Sequence, residues 1–227
     1  MKITGVNALP INVPLQAPWK IALMTSTTIK NVIVKIHTDE GIVGVGEGRP
    51  VAEMTGETQS TSTNIIENTL KPAILDANPF DIERISDRMD KAVLGFSSSK
   101  AAIDMAVYDI IGKKLGVPVC DLIGGRFREE VEIDRTISMK EPGEMAKEAL
   151  ILRDQGFRAF KLKIGQDQKK DVDRVRAVRE AIGGDLILRV DCNQAYPNAK
   201  KAIRVLDQIN RFDIQIAEQP VPANDIE

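Results

Sequence analysis

"RAFKLKIG", residues 158–165, sets two lysines one residue apart in an otherwise apolar run. Side chains alternate between the faces of a strand, so Lys161 and Lys163 point to one side and Phe160, Leu162 and Ile164 to the other. Three further stretches have the same length and character: "VEIDRTIS" (131–138), "LILRVDCN" (186–193) and "DIQIAEQP" (213–220). The intervening segments 142–155, 169–182 and 197–210 carry helical periodicity. Gly156, Gly183 and Gly184 stand where a helix must end and a strand begin. Strand–helix alternation of this kind predicts right-handed βαβ units and a parallel sheet.

The polar residues near the C-terminal ends of these strands are Thr136, Lys163, Asp191 and Glu218, spaced 27, 28 and 27 residues apart. Each interval is one strand–helix unit. A parallel barrel gathers such strand ends at one face, where active sites of that architecture are built. Asp191 and Asn193 share a face, with Val190 and Cys192 opposite. Two carboxylates at one rim suit a hard divalent cation, Mg²⁺ above all, which prefers oxygen ligands. A second ammonium and a metal nearby both disfavour the charged form of a lysine, which makes one amine available as a base. Taken singly, Asp191 and Glu218 could cap the following helices and the lysines could be solvated strand ends. The regular joint spacing favours the constellation.

The N-terminal half reads differently. Residues 2–13, 28–38 and 41–47 are expected strands, the last two joined at "TDEG" (38–41). Residues 58–75, 80–93 and 98–116 are expected helices, with Ser98 or Ser99 as N-cap of the last and Gly116 with Pro118 as its stop. Strands followed by helices predict a separate α+β domain, placed at 1–125, with the strand–helix repeat at 126–227.

A formal net charge of −2 argues against a nucleic-acid surface. The two cysteines, Cys120 and Cys192, form no metal-ligand spacing and point to a reducing compartment. Met1 to Pro10 lacks the apolar core of a signal peptide, and no run approaches the ~18 apolar residues of a membrane span. A cytoplasmic soluble protein is expected.

"KLKIG" (161–165), "RVDCNQAY" (189–196) and "AEQPVP" (217–222) resemble the Lys-x-Lys, Asp-x-Asn and Glu-Gln-Pro strand ends of the enolase superfamily, in its muconate-lactonizing branch. The segment "AAIDMAVYDIIGKKLGVPVCDLIGG" (101–125) is similar to that family's domain-joining segment. The resemblance implies an α+β capping domain followed by the first half of a TIM-like (β/α)7β barrel, strands 1–4. It implies Asp191 and Glu218 as Mg²⁺ ligands. Lys163 would be general base or acid for the proton α to a carboxylate, with Lys161 assisting electrostatically. Thr136, Asn193, Trp19 and Met24 complete the expected site as substrate-binding positions.

Within the branch, "MTGET" (54–58), "EIDRTISMKEPGEMAKEA" (132–149) and the specificity-loop segment 14–36 are most like dipeptide epimerases. The Ala-Glu epimerases carry an Arg where this chain has Met24, in "ALMT" (22–25). An apolar thioether cannot pair a carboxylate, so the resemblance implies a dipeptide with an apolar second residue; otherwise Met24 is loop packing. Muconate cycloisomerisation, o-succinylbenzoate synthesis and N-acylamino acid racemisation are the alternatives within the branch. The expected partners are a small-molecule carboxylate, a dipeptide in the first instance, and further copies of the chain; neither nucleic acid nor membrane is expected.

The family draws a third acidic ligand from a fifth strand and an opposing lysine from a sixth. The sequence ends at "ANDIE" (223–227), where a fourth barrel helix is expected to begin. A truncated or partly recorded chain, inactive by itself, is therefore expected; a non-catalytic fragment is the alternative from outside enzymology. Among other motifs, "GIVGVGEG" (41–48) reads as a glycine hairpin near the barrel mouth rather than a dinucleotide fingerprint. His37 is expected to face solvent. "QDQKKDVDRVRAVRE" (166–180) is expected to be a solvated helix face, and Trp19 a core anchor or lid residue.

Overall fold

A computed structural model describes residues 1–225 of the 227. By their packing these residues fall into two units, Met1–Pro14 with Thr28–Glu129, and Leu15–Thr27 with Glu130 onward. The division differs from the boundary expected at 125/126 chiefly in Leu15–Thr27, which packs with the second unit.

The first unit holds most of a three-stranded antiparallel sheet, β1 (Ile3–Lys20), β2 (Thr25–Thr38) and β3 (Val43–Gly48), in the order β1-β2-β3. The strands alternate as the Ile/Val pattern requires: Val32, Val34 and Ile36 are fully buried. The helices are α1 (Ala52–Thr55), α2 (Gln59–Ile65), α3 (Lys71–Ile74), α4 (Ile82–Ala92), α5 (Ser97–Leu115) and α6 (Val119–Leu122). A π-helical turn at Ile66–Leu70 joins α2 to α3, so the expected helix over 58–75 is continuous but widened in its middle.

The spaced glycines of 41–48 serve close packing between strand and helix. A Cβ on Gly46 would fall 1.9 Å from the Ala102 carbonyl oxygen, and one on Gly44 2.0 Å from that of Ala106. β3 therefore lies directly against α5, an approach that side chains on that face would prevent. The start of α5 differs from expectation. Phe96 is the N-cap residue, in the left-handed region at φ 53°, and makes no side-chain cap. The buried Glu57 carboxylate caps the helix instead, accepting from the amides of Ser98 (2.8 Å) and Ser99 (3.1 Å) and from the Ser99 hydroxyl (2.5 Å). Gly116, left-handed at φ 69°, ends it as expected. His37 is half-buried, with Nε2 3.0 Å from Asn7 Oδ1.

The second unit is a parallel sheet in the order β4 (Asp134–Ile137), β5 (Ala159–Lys163), β6 (Ile187–Asp191), β7 (Ile216–Glu218). The connections are α7 (Pro142–Asp154), α8 (Gln168–Ile182) and α9 (Ala199–Asn210). Pro142 in the first turn starts α7, and the Asp167 and Asn198 side chains cap α8 and α9. One strand face packs on the helices: Ile137, Phe160, Leu162, Ile164, Leu188, Val190 and Cys192 meet Met145, Ala149, Val175, Val178, Val205 and Ile209 in one core. The antiparallel sheet of the first unit is followed by four parallel strands consistent with the first half of a TIM-like barrel, as expected.

The charged run 166–180 is not simply a solvated face. Asp171, Arg174 and Arg179 are buried, and their partners are main-chain groups as well as each other. Arg179 donates to the carbonyls of Phe212, Gly183, Leu186 and Asp213 at 2.7–2.9 Å, joining the end of α8 to the segment that enters β7. The hairpin tip is anchored within the second unit. The Lys20 amide donates to Ser138 Oγ at 2.8 Å, that hydroxyl donates back to the Lys20 carbonyl at 3.0 Å, and the Met139 amide donates to the same carbonyl at 3.1 Å.

Candidate active site

The parallel register sets the site. Lys163 stands opposite Asp191 on β6, and Asp191 opposite Glu218 on β7, so the three occupy one row at the C-terminal ends of adjacent strands. The face opposite the helix-packed core carries their side chains. Lys163 is 8% exposed and Asp191 1%. Lys163 Nζ donates to Asp191 Oδ2 at 2.5 Å, and Lys161 Nζ to Glu218 Oε2 at 3.2 Å. Each of the two carboxylates thus has one ammonium partner.

Thr136 lies lower than its spacing suggested. It is opposite Lys161, which is in turn opposite Arg189, so it belongs to the row two residues below Lys163. Ser138 comes two residues later, and its hydroxyl is committed to Lys20 in the hairpin tip. Trp19 and Met24 are both half-buried on that tip, whose turn is closed by the Ile21 amide donating to the Met24 carbonyl at 3.0 Å. Ala22 of the same turn approaches the exits of β5 and β6: a Cβ on Gly165 would meet Ala22 Cβ at 3.3 Å, Cys192 O at 2.9 Å and Ala195 Cβ at 2.4 Å. Neither Trp19 nor Met24 is brought into a hydrogen bond with the lysine–carboxylate row.

Asn193 turns back onto Asp191. Its amide donates to Asp191 Oδ1 at 2.8 Å and its Nδ2 approaches Asp191 Oδ2 at 3.4 Å. The backbone is left-handed at Asn193 (φ 44°) and again at Gln194 (φ 64°), and Gln219 after β7 repeats this at φ 44°. Asn is among the non-glycine residues that adopt this region most readily. The two exits interlock, the Cys192 amide donating to the Glu218 carbonyl (3.0 Å) and the Gln194 amide to that of Gln219 (2.7 Å). The side-chain oxygen of Asn193 is buried without a hydrogen-bond partner. Buried acceptors are almost always satisfied, so this oxygen is suited to a ligand at the strand ends.

Two features escaped sequence reading. Arg189 projects on the same face as Asp191 and pairs with Asp134 Oδ2 at 3.0 Å and Gln215 Oε1 at 2.8 Å, forming with Lys161 a polar layer below the row of Lys163. Asp171 accepts from the Gly165 amide (3.0 Å), the Tyr196 hydroxyl (3.1 Å) and the Arg174 guanidinium (2.8 Å). Burial raises its carboxyl above the ordinary range, against the lowering effect of Gly165, Arg174 and Tyr196. Burial, with the charges of Asp171 and Asp191, pushes the Cys192 thiol up to about 12, so it stays a neutral thiol packed in the core. The run of charges at 166–180 masked the Asp171 network, and the Arg189 partners Asp134 and Gln215 are distant in sequence, 55 and 26 residues away.

Asp191, Glu218 and Asn193 offer an all-oxygen donor set, the kind a hard divalent cation takes. Among the described residues no cluster of three or more Asp, Glu, His or Cys side chains is placed to hold a metal ion. The acidic donors at this rim are therefore two, with an amide oxygen as the third available group.

A capping unit followed by parallel strands with lysines and carboxylates at their C-terminal ends defines a barrel enzyme class. Residues 3–124 match the mandelate racemase / muconate lactonizing enzyme N-terminal domain, residues 144–227 match the enolase C-terminal domain-like family, and the chain belongs to this family within the enolase superfamily. It is 41% identical over its whole length to an N-succinyl-L-Arg/Lys racemase of Bacillus cereus, covering 62% of that protein. The crystal structure of that racemase superposes with a TM-score of 0.98. A hydrophobic dipeptide epimerase of Enterococcus faecalis is 39% identical over 100% of the chain and 63% of its own length. A crystal structure of the E. faecalis dipeptide epimerase, complexed with Mg and L-Leu-L-Tyr, matches 98% of the chain and 62% of its own at a TM-score of 0.93. An L-Ala-D/L-Glu epimerase of Bacillus subtilis is 36% identical over 100% of the chain and 62% of its own length. The chain thus spans less than two thirds of each of these relatives. No helix among the described residues is long and apolar enough to cross a membrane.

Proposed function

We propose that the protein is a Mg²⁺-dependent isomerase that moves the proton on the carbon α to a carboxylate. Its proposed substrate is a dipeptide, epimerised at a second residue with an apolar side chain. The observation that carries this reading is the single row Lys163–Asp191–Glu218, with Lys163 Nζ 2.5 Å from Asp191 and Lys161 Nζ 3.2 Å from Glu218. Asp191 and Glu218 would hold the cation, and the unpartnered Asn193 oxygen fits the same all-oxygen chemistry. When bound, the cation supplies charge stabilisation for the anion that forms as the α proton leaves.

The chain's own groups do the rest. Lys163 takes the proton from, or returns it to, the α carbon. Lys161 holds positive charge beside it and fixes Glu218. The Arg189–Asp134 pair keeps the layer below polar and ordered. Inversion requires a second proton carrier on the opposite face of the carbon, which the family places on a sixth strand. Met24, on the turn at the β5–β6 rim, is the proposed contact for the apolar side chain. Copies of the chain are proposed to assemble as a homo-oligomer, and the cytoplasm is the proposed compartment.

A second reading is favoured by the 41% identity to the N-succinyl-L-Arg/Lys racemase over the whole chain. The C-terminal residue of a dipeptide and an N-succinyl amino acid are both α-amino acids acylated on nitrogen with a free α-carboxylate, so one proton-transfer centre serves either. A panel of dipeptides and N-succinyl amino acids incubated in D₂O with Mg²⁺, followed by the α-proton NMR signal, separates them. Fastest loss of signal is expected with apolar second residues. A clear preference for Ala-Glu rules out the role given to Met24, and a preference for N-succinyl-lysine or N-succinyl-arginine moves the assignment to the second reading.

A further inference from the structure

Three strand exits converge on one buried carboxylate. Asp171 lies in the first turn of α8 and is fully buried. Its Oδ2 accepts from the Gly165 amide, just beyond Lys163 on the exit of β5, at 3.0 Å. The same oxygen accepts from the hydroxyl of Tyr196, on the exit of β6, at 3.1 Å. Its Oδ1 accepts from Arg174 at 2.8 Å, and Arg174 Nε donates to the carbonyl of Lys140, on the exit of β4, at 2.8 Å.

The junction has no slack. Gly165 adopts φ +121°, a conformation L residues rarely take, and a Cβ there would also strike Ala195 Cβ at 2.4 Å and the Cys192 carbonyl oxygen at 2.9 Å. The adjacent Ile164 amide donates to the Asp191 carbonyl at 3.1 Å, so movement at Gly165 is carried directly to the backbone of Asp191. Without the Asp171 carboxylate, the Gly165 amide, the Tyr196 hydroxyl and the Arg174 guanidinium lose their common acceptor.

We propose that Asp171 is a positioning residue: through Gly165, Tyr196 and Arg174 it holds the exits of β4, β5 and β6 in the register that sets Lys163 against Asp191. It makes no hydrogen bond to either residue and acts through the loops. The catalytic consequence rests on the isomerase reading above; the positional one does not.

The test compares Asp171→Asn and Tyr196→Phe with Asp173→Asn, which removes an exposed pair with Arg176 on the same helix. Two readouts are taken on the protein: amide hydrogen exchange at Gln194 and Ala195, and kcat and KM for α-proton exchange. In Asp171→Asn, exchange at Gln194 and Ala195 is expected to accelerate while Leu188 and Val178 in the core stay protected. kcat is expected to fall by about tenfold to a hundredfold, with KM changed by less than about threefold. Tyr196→Phe is expected to shift both readouts in the same direction by less, and Asp173→Asn to shift neither. A folded Asp171→Asn with wild-type exchange and wild-type kcat overturns the proposal. If Asp171→Asn does not fold, Tyr196→Phe decides by the same criteria. If the wild-type chain exchanges the α proton of no substrate, as expected of a chain inactive by itself, amide hydrogen exchange alone decides the positional claim.

Discussion

Lys163 and Asp191 face each other across one step of a parallel sheet, and the ammonium of the first lies 2.5 Å from Oδ2 of the second. The pair is buried: the Lys163 side chain is 11% exposed and that of Asp191 2%. Lys161 and Glu218 form the neighbouring pair at 3.2 Å, with side chains 23% and 44% exposed. Burial therefore separates two contacts that are chemically alike.

Removing one partner has different consequences for the two pairs. Asp191→Ala strands the Lys163 ammonium in a buried position and also deprives the Asn193 amide of its acceptor. A loss of about 3–5 kcal/mol is expected. Lys161→Ala opens a partly solvated pair and is expected to change stability by no more than about 1 kcal/mol. Urea unfolding of the two variants beside the wild type measures both, and equal losses would contradict the assigned burial.

The contact of β3 with α5 allows no side chain at Gly46. Gly46→Ala places a methyl group 1.9 Å from the Ala102 carbonyl oxygen, so strand or helix must shift. Destabilisation of at least about 1–3 kcal/mol is expected. Gly143→Ala meets nothing within 4 Å at a backbone angle that L residues adopt freely, and is the matched control. Thermal unfolding of both variants checks the contrast.

Burial raises the Asp171 carboxyl above its unfolded value of 3.8, so between the two values the folded state binds more protons than the unfolded state. The contribution of this group to stability is therefore fully present below the unfolded value and is lost as pH rises through the folded one. Asp171→Asn removes that titration. Across the acid range from pH 3 upward, the stability of the wild type relative to Asp171→Asn is expected to decline as pH rises. Urea midpoints across that range give the sign, and a rising difference would contradict it.

Much of this was legible in the sequence, for reasons that mark where legibility ends. The alternation in "FKLK" (160–163) placed both lysines opposite the core because the pleat has a period of two and the helices cover one face. The 28-residue interval from Lys163 to Asp191 became exact register because each repeat is one strand, one helix and short turns. Thr136 fell in the lower row because β4 ends one residue later, at Ile137, and the chain then turns toward Lys20. No periodicity encodes that tie. Ser98 and Ser99 looked like helix caps, as their type suggests, but Glu57 caps the helix from a distant segment, and tertiary contacts have no local signature. Asp171, Arg174 and Arg179 lie in a run whose charge alone points to solvent. Their buried roles depend on the carbonyl and amide groups that any residue supplies and, for Asp171, on the Tyr196 hydroxyl 25 residues away. The hairpin tip packs with the barrel unit rather than the cap for a similar reason, since it is held by the Ser138 hydroxyl and the Met139 amide, just beyond β4.

The central claim is that Asp191 and Glu218 gather oxygen donors around one divalent cation beside Lys163. Titration of Mn²⁺ into ¹⁵N-labelled protein, read as paramagnetic broadening of amide signals, tests it most directly. Broadening is expected first at Asp191, Asn193 and Gln219, with competition by Mg²⁺, and it is expected to vanish in Asp191→Asn. Broadening centred elsewhere, or unchanged in Asp191→Asn, would contradict the account.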